Sequence, residues 1–278
     1  MPVETRLGYR RIMTVPAHRD LAPAARAVPY DTDIAQAAAL IADPTRAAML
    51  RALVVGRPLA AGELARLAGV SAATASFHLA KLSEGNLIEV ARQGRHRYYR
   101  LAGHEVAAAL EALGPISPAL PVRSLRQSRE AAALAAARTC YDHLAGWAGV
   151  ELLEALVRHG LLTREKPKSL SRTGSGDTVT AARFEATGAG ARTFASFGIN
   201  VTDIRRSRRN FAGECFDWTE RRGHLNGALA AAVTTRLFEL GWIERGPGRR
   251  SVRITAAGAE GLAFTFGLDL AQEGPAFG

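Results

Sequence analysis

Residues 43–101 read DPTRAAMLRALVVGRPLAAGELARLAGVSAATASFHLAKLSEGNLIEVARQGRHRYYRL, and the order of signals in this stretch decides the fold. Asp43-Pro44 starts a helix, because the Asp side chain caps free N–H groups and Pro suits the first helical position. PTRAAMLRALVV places Met49, Leu50, Leu53 and Val54 on one face, and Gly56 ends the helix. GELARLAG predicts a second short helix with Leu64, Ala65 and Leu67 inward, stopped by Gly69. Val70-Ser71 makes a tight turn, and Ser71 caps a third helix, AATASFHLAKLSEG. On that helix Ala75, Leu79 and Leu82 face the core. Thr74, Phe77, His78 and Lys81 fall on the opposite side with Ser76 at its edge, and no acid appears until Glu84. Two short helices around a tight turn, the second polar and acid-poor, form a helix-turn-helix.

The next residues, LIEVARQGRHRYYRL, predict a hairpin. Ile88 and Val90 alternate with polar residues, Gln93-Gly94 makes the turn, and Arg97 to Leu101 return as a second strand. Its tip carries Arg92, Arg95, His96 and Arg97, at the height of a phosphate backbone or a minor groove. The expected DNA contacts are therefore Ser71, Thr74, Ser76, Phe77, His78, Lys81, Arg92, Arg95 and Arg97. A solvated helical hairpin beside a surface turn is the competing reading, and the ordered set of four signals outweighs it.

The whole chain supports the same direction. Lys and Arg exceed Asp and Glu by 36 to 26, giving +10 and a pI near 10.5. Such a balance favours double-stranded DNA or another polyanion, although an Ala- and Arg-rich composition also follows from a GC-rich genome. With 47% hydrophobic and 22% charged residues the chain is globular rather than disordered. Its 278 residues predict two or three domains. Charge-free stretches are short, nine residues at Ile34–Ala42 and eleven at 112–122, against about 20 for a membrane span. No signal peptide opens the chain, so a cytoplasmic location is expected. Its two cysteines read as free thiols or ligands. HExxH, GxSxG and P-loop patterns are missing, and TGSGD at 173–177 is no nucleotide loop, so no enzyme is expected. An architectural winged-helix protein without an effector, or an enzyme carrying a winged-helix appendage, are the alternatives to a regulator.

Four segments follow: a loose, proline-bearing arm at 1–30, the winged helix-turn-helix at 31–113, a Pro-rich linker at 114–128, and a C-terminal effector domain at 129–278. The fold class expected is α+β, mostly helical with small β-hairpin wings. The C-terminal domain contains an internal repeat, with copies near 137–203 and 212–270. Cys140-Tyr-Asp matches Cys215-Phe-Asp, and His143-Leu-Ala-Gly matches His224-Leu-Asn-Gly. ELLEALVRHGLLTRE parallels TTRLFELGWIERGPG, and FEATGAGARTFASFGIN parallels ITAAGAEGLAFTFGLD. Helix, short strand, basic turn, strand and helix in that order predict two winged-helix-like units.

ADPTRAAMLRAL, GELARLAGVSAATASFHLAKLSEGNLI and RQGRHRYYRL resemble the ArsR/SmtB family of winged-helix transcriptional regulators, over about residues 31–113. The second half, with CYDHLAG and CFDWTERRGHL, resembles longer members that carry an extra C-terminal domain. The resemblance implies a homodimer built on the helices near 31–42 and 103–113, a palindromic operator, and release on effector binding. It departs from metal-sensing members in one respect. GELARLAG holds no cysteine, and the last helix offers only His104 and Glu105, so any effector site is expected in residues 130–278.

The repeated Cys140, His143, Cys215 and His224 are the candidate metal ligands, for zinc or a softer divalent ion. Spaced three apart, Cys140 and His143 are expected on one face of a helix. Asp142, Asp217 and Glu220 could add ligands or orient the histidines. Thiol redox sensing, a small organic ligand and plain core packing are the other readings of the same residues.

Overall fold

The computed structural model describes residues 33–94, 96–165, 182–207, 209–247 and 250–270. The 1–30 arm, Arg95, Arg208 and residues 166–178 of the basic loop lie outside the described residues. Helix α1 (Ile34–Ala42) precedes α2 (Pro44–Leu53), whose first turn is capped by Asp43 accepting from the Arg46 N–H at 2.9 Å. Strand β1 (Leu59–Ala60) leads into α3 (Ala61–Ala68), and Ser71 caps α4 (Ala72–Glu84) by accepting from the Thr74 N–H. Strands β2 (Ile88–Gln93) and β3 (His96–Leu101) form the wing hairpin, and β1 adds antiparallel to β3. Helix α5 (His104–Ala112) closes this half. Met49, Leu50, Leu53, Leu64, Leu79 and Leu82 are its buried centre, at the helical spacing their sequence shows.

The helix after the proline-rich segment starts earlier than expected. Ser124 caps α6 (Leu125–Ala136), so the last residues of the expected linker are already helical. Beyond α6 the chain repeats one element order. Hairpin β4 (Arg138–Cys140) and β5 (His143–Ala145) is followed by α7 (Trp147–Arg158), β6 (Leu162–Arg164), β7 (Phe184–Ala186) and α8 (Gly188–Ser196). After α9 (Val201–Arg205) come hairpin β8 (Gly213–Phe216) and β9 (Gly223–Asn226), α10 (Gly227–Glu239), β10 (Ile243–Arg245), β11 (Val252–Ile254) and α11 (Ala256–Phe266).

Local chemistry repeats with the order. Thr187 and Thr255 each cap the final helix of their copy by accepting from Gly190 N and Gly258 N. Those two glycines are needed for close approach: a Cβ would lie 1.9 Å from the Leu161 carbonyl oxygen and 2.0 Å from that of Trp242. The copies are also interlocked. Val252 N donates to Ala137 O beside β4, and Phe184 N donates to Ala212 O beside β8, so each copy's second wing strand reaches the other copy's hairpin. Phe184, Phe194, Leu229, Leu237, Leu262 and Phe266 belong to one shared core. Within the compact unit of residues 35–278 Tyr141, in the turn between β4 and β5, packs against the helix-turn-helix core.

Candidate functional site

Two regions carry functional chemistry. The first is the exposed side of α4. Thr74, Ser76, Phe77 and Lys81 are exposed there, while Ala75, Leu79 and Leu82 are buried, so the apolar stripe anchors the helix and presents its polar face. Phe77 is 57% exposed, with the Lys81 ammonium 4.6 Å from its ring centroid. His78 is placed differently from the sequence expectation. It turns toward the start of α2, with Nδ1 3.6 Å from the Asp43 carboxylate and only 12% of its side chain exposed. Ser71 is spent on capping. In the wing Arg92 and Arg97 face each other across β2 and β3, both exposed, and Arg95 lies outside the described residues.

The second region is a sulfur and imidazole cluster. Cys140, His143, Cys215 and His224 each offer a ligand atom, and all four atoms lie within 4.8 Å of one another. The secondary structure corrects one expectation: Cys140 and His143 do not share a helix face. They are cross-strand partners in the β4–β5 hairpin, as Cys215 and His224 are in β8–β9. Side chains opposite one another in an antiparallel pair share a sheet face, so each hairpin delivers one thiol and one imidazole together. The two pairs are joined by connections of different length. A turn of Tyr141 and Asp142 joins the first pair, and the extra residues of the second copy lie in its hairpin loop, which keeps the register.

Carboxylates stand behind both rings. Asp142 Oδ1 is 3.2 Å from His143 Nδ1, and Asp217 Oδ2 is 3.4 Å from His224 Nδ1. Each Asp is in turn held by an arginine from the other copy, Arg209 from just before β8 on Asp142 and Arg138, the first residue of β4, on Asp217. Glu220 instead gives its backbone N–H to Asp217. His143 Nε2 and both nitrogens of His224 are buried without a hydrogen-bond partner.

The charge state follows from these contacts. A hydrogen bond from Cys140 and the neighbouring His143 outweigh burial and bring the Cys215 thiol down to about 3, with Asn226 Nδ2 donating at 3.0 Å. The same contact and burial push Cys140 well up. Burial and the His143 charge bring His224 down to about 3, whereas Asp142 and Cys215 outweigh burial at His143 and raise it. These contacts favour negative charge on Cys215 and positive charge on His143 over their neighbours Cys140 and His224. A narrow cleft of about 20 Å³ reaches it, lined by Cys140, Tyr141, His143, Arg209 and Cys215 on one side and His104, Ala107 and Ala108 of α5 on the other. Trp147 is core, and Trp218 stacks under the Arg138 guanidinium at 4.7 Å, so neither lines this cleft.

Capped helices, an acid-poor exposed face and a basic hairpin together define a winged helix-turn-helix DNA-binding protein. Residues 41–91 match the helix-turn-helix domain family. An uncharacterized HTH-type transcriptional regulator of Bacillus subtilis (strain 168), YdfF, is 46% identical over 206 residues, covering 74% of this chain and 84% of its own length. Among solved structures, NolR from Sinorhizobium fredii is 33% identical with TM-score 0.29, over 31% of this chain and 86% of its own. A homodimeric winged helix-turn-helix DNA-binding domain from Mycobacterium bovis is 30% identical with TM-score 0.28, over 30% of this chain and 76% of its own. The chain belongs to the HTH-type transcriptional regulators. Among the described residues no helix is long and apolar enough to cross a membrane.

Proposed function

We propose that the chain is a cytoplasmic repressor rather than an enzyme. It binds a palindromic operator as a homodimer and leaves it when the C-terminal repeats take up an effector, for which a metal ion suits the cysteines and histidines best. The observation that carries the DNA-binding half of this reading is α4, whose exposed Thr74, Ser76, Phe77 and Lys81 form a face free of acid until Glu84 at the helix end. Arg92 and Arg97 extend that face with charge suited to phosphate. Helix α1, IAQAAALIA, supports the dimer, because it buries none of its residues within one chain. A second copy laid against α1 and α5 would cover it and set two reading helices about 34 Å apart, one turn of DNA.

The test is a footprint of the full chain on its own upstream DNA, repeated with the chelator-treated and metal-supplemented protein. Protection confined to one inverted repeat, lost on metal addition, is the expected result. Uniform coverage of any duplex overturns the repressor reading in favour of an architectural role.

A further inference from the structure

We propose that Cys140, His143, Cys215 and His224 hold one zinc-class divalent ion, through both sulfurs and both imidazole Nε2 atoms, and that α5 reads its presence. The second clause rests on the regulator reading for its effect on DNA, while the ion site stands on geometry alone.

The donor set comes from two hairpins that face each other, one thiol and one imidazole from each, with all four atoms within 4.8 Å. Two sulfurs and two imidazole nitrogens are a tetrahedral zinc set. The Asp142 carboxylate bonded to His143 Nδ1 at 3.2 Å leaves Nε2 as the ligating nitrogen of that ring, and Asp217 lies on the Nδ1 side of His224 at 3.4 Å. A carboxylate behind an imidazole is how metal-binding histidines are oriented. Both Nε2 atoms are buried and unpartnered, on side chains that are 5% and 0% exposed. A buried polar atom left without a partner carries a desolvation cost that an ion would remove.

Size narrows the effector class further. A cleft of about 20 Å³ has room for one occupant the size of a water or an ion, whereas pockets for organic ligands run to about 300 Å³ or more. An organic effector does not fit here.

The reading step follows from what the first hairpin touches. Ligand atoms around a tetrahedral zinc ion lie roughly 3.3–3.8 Å apart, from bonds of about 2.0–2.3 Å. Donor atoms spread over up to 4.8 Å would have to close to that spacing on loading, which moves the hairpins that carry them. The β4–β5 hairpin cannot shift alone, because its Tyr141 carbonyl oxygen lies 2.3 Å from where a Cβ on Gly56 would stand, at the end of α2. Arg250 Nε donates to Thr139 O on β4, and its Nη2 donates to the buried Glu111 of α5. His104, Ala107 and Ala108 of α5 form the far wall of the cleft. Packed contacts of this kind pass a small displacement on as a discrete repacking, and α5 is an element expected to hold the dimer.

The experiment uses the full chain, reduced and chelator-stripped, titrated with cadmium and then zinc in the absence of DNA. The thiolate-to-cadmium absorption band should saturate at one ion per chain, and zinc should displace the cadmium. Amide exchange should slow in 104–112 and around Tyr141. Cys215→Ser should weaken binding by at least about 100-fold. Should that variant misfold by circular dichroism, His224→Gln serves as the second ligand deletion with the same expectation. Glu111→Gln should keep the ion and lose the exchange response in α5. A folded, reduced protein that binds no ion, or whose binding survives both ligand deletions, overturns the site. Rapid loss of both thiols to a Cys140–Cys215 disulfide with no ion bound overturns it in favour of redox sensing. Binding with α5 unchanged overturns the readout. A chain that binds its ion yet no operator counts against the repressor reading, not against the ion site.

Discussion

The two hairpins of the C-terminal repeats share a plan and differ in how they are held. In the second, Asp217 and Arg138 are both fully buried, and the carboxylate also accepts from Gly146 N, Thr219 N and Thr219 Oγ1 at 2.7–2.9 Å. In the first, Asp142 and Arg209 are 31% and 22% exposed, and the hairpin tip lies against the helix-turn-helix core. The same carboxylate thus serves as a sealed anchor in one copy and as an accessible brace in the other. The two copies hold their carboxylates differently, Asp217 sealed and Asp142 partly open to solvent.

The largest expected effect tests that difference. Asp217→Ala leaves Arg138 charged, buried and unpaired, and such losses cost about 3–5 kcal/mol. Asp142→Ala breaks a partly exposed pair and should cost about 1 kcal/mol or less. Urea melts of both variants check this, and equal losses would break the comparison. Asp142→Asn keeps the shape but weakens the brace on His143. Ion affinity should fall about 10–100-fold with stability little changed, read by chelator competition.

At the DNA-reading end a similar contrast separates exposed from turned-in residues. Thr74→Ala or Ser76→Ala should lose about 1–3 kcal/mol of discrimination if the residue meets a base. Lys81→Ala should weaken all sequences alike, and Arg92→Ala should lower the salt slope by about one unit. His78→Ala should leave sequence preference unchanged, because the ring faces Asp43. Gel shifts across operator variants and salt concentrations read all five. An altered preference in His78→Ala would return that residue to the groove.

The smallest effect is acid sensitivity. Burial would raise Asp142, but His143 and Arg209 overcome it and hold the carboxyl at about 2. A folded pKa below the unfolded value of about 3.9 stabilises the fold above that value, and the gain is lost as pH falls toward 2. Asp217, sealed by Arg138, is held lower still, so its contribution persists further into acid. Thermal midpoints between pH 5 and 2 should fall less steeply in Asp142→Ala than in the parent chain.

The helix-turn-helix was legible because its determinants are local. Asp43 and Ser71 cap within three residues, and the apolar spacing of α4 reports one face directly. The pairing of Cys140 with His143 and of Cys215 with His224 was legible only as a repeat, and the reading of a helix there failed for a physical reason. A spacing of three suits one helical face, and it equally suits the two ends of a hairpin with a two-residue turn. Tyr141 in a left-handed conformation at φ 60° selects the hairpin, and no residue type at that position announces it.

By itself the sequence showed the helix-turn-helix and the basic wing, whose signals lie within one or two turns of chain, and the duplication with its four ligand candidates, which shows as short matching motifs far apart in the chain. Only the tertiary structure decided the rest. The carboxylate behind each imidazole, the arginine crossing from one copy to the other, the turned-in His78 and the cleft against α5 all join residues distant in the chain or set by packing. Such contacts are fixed by which surfaces exclude water together, and separation along the chain does not encode them.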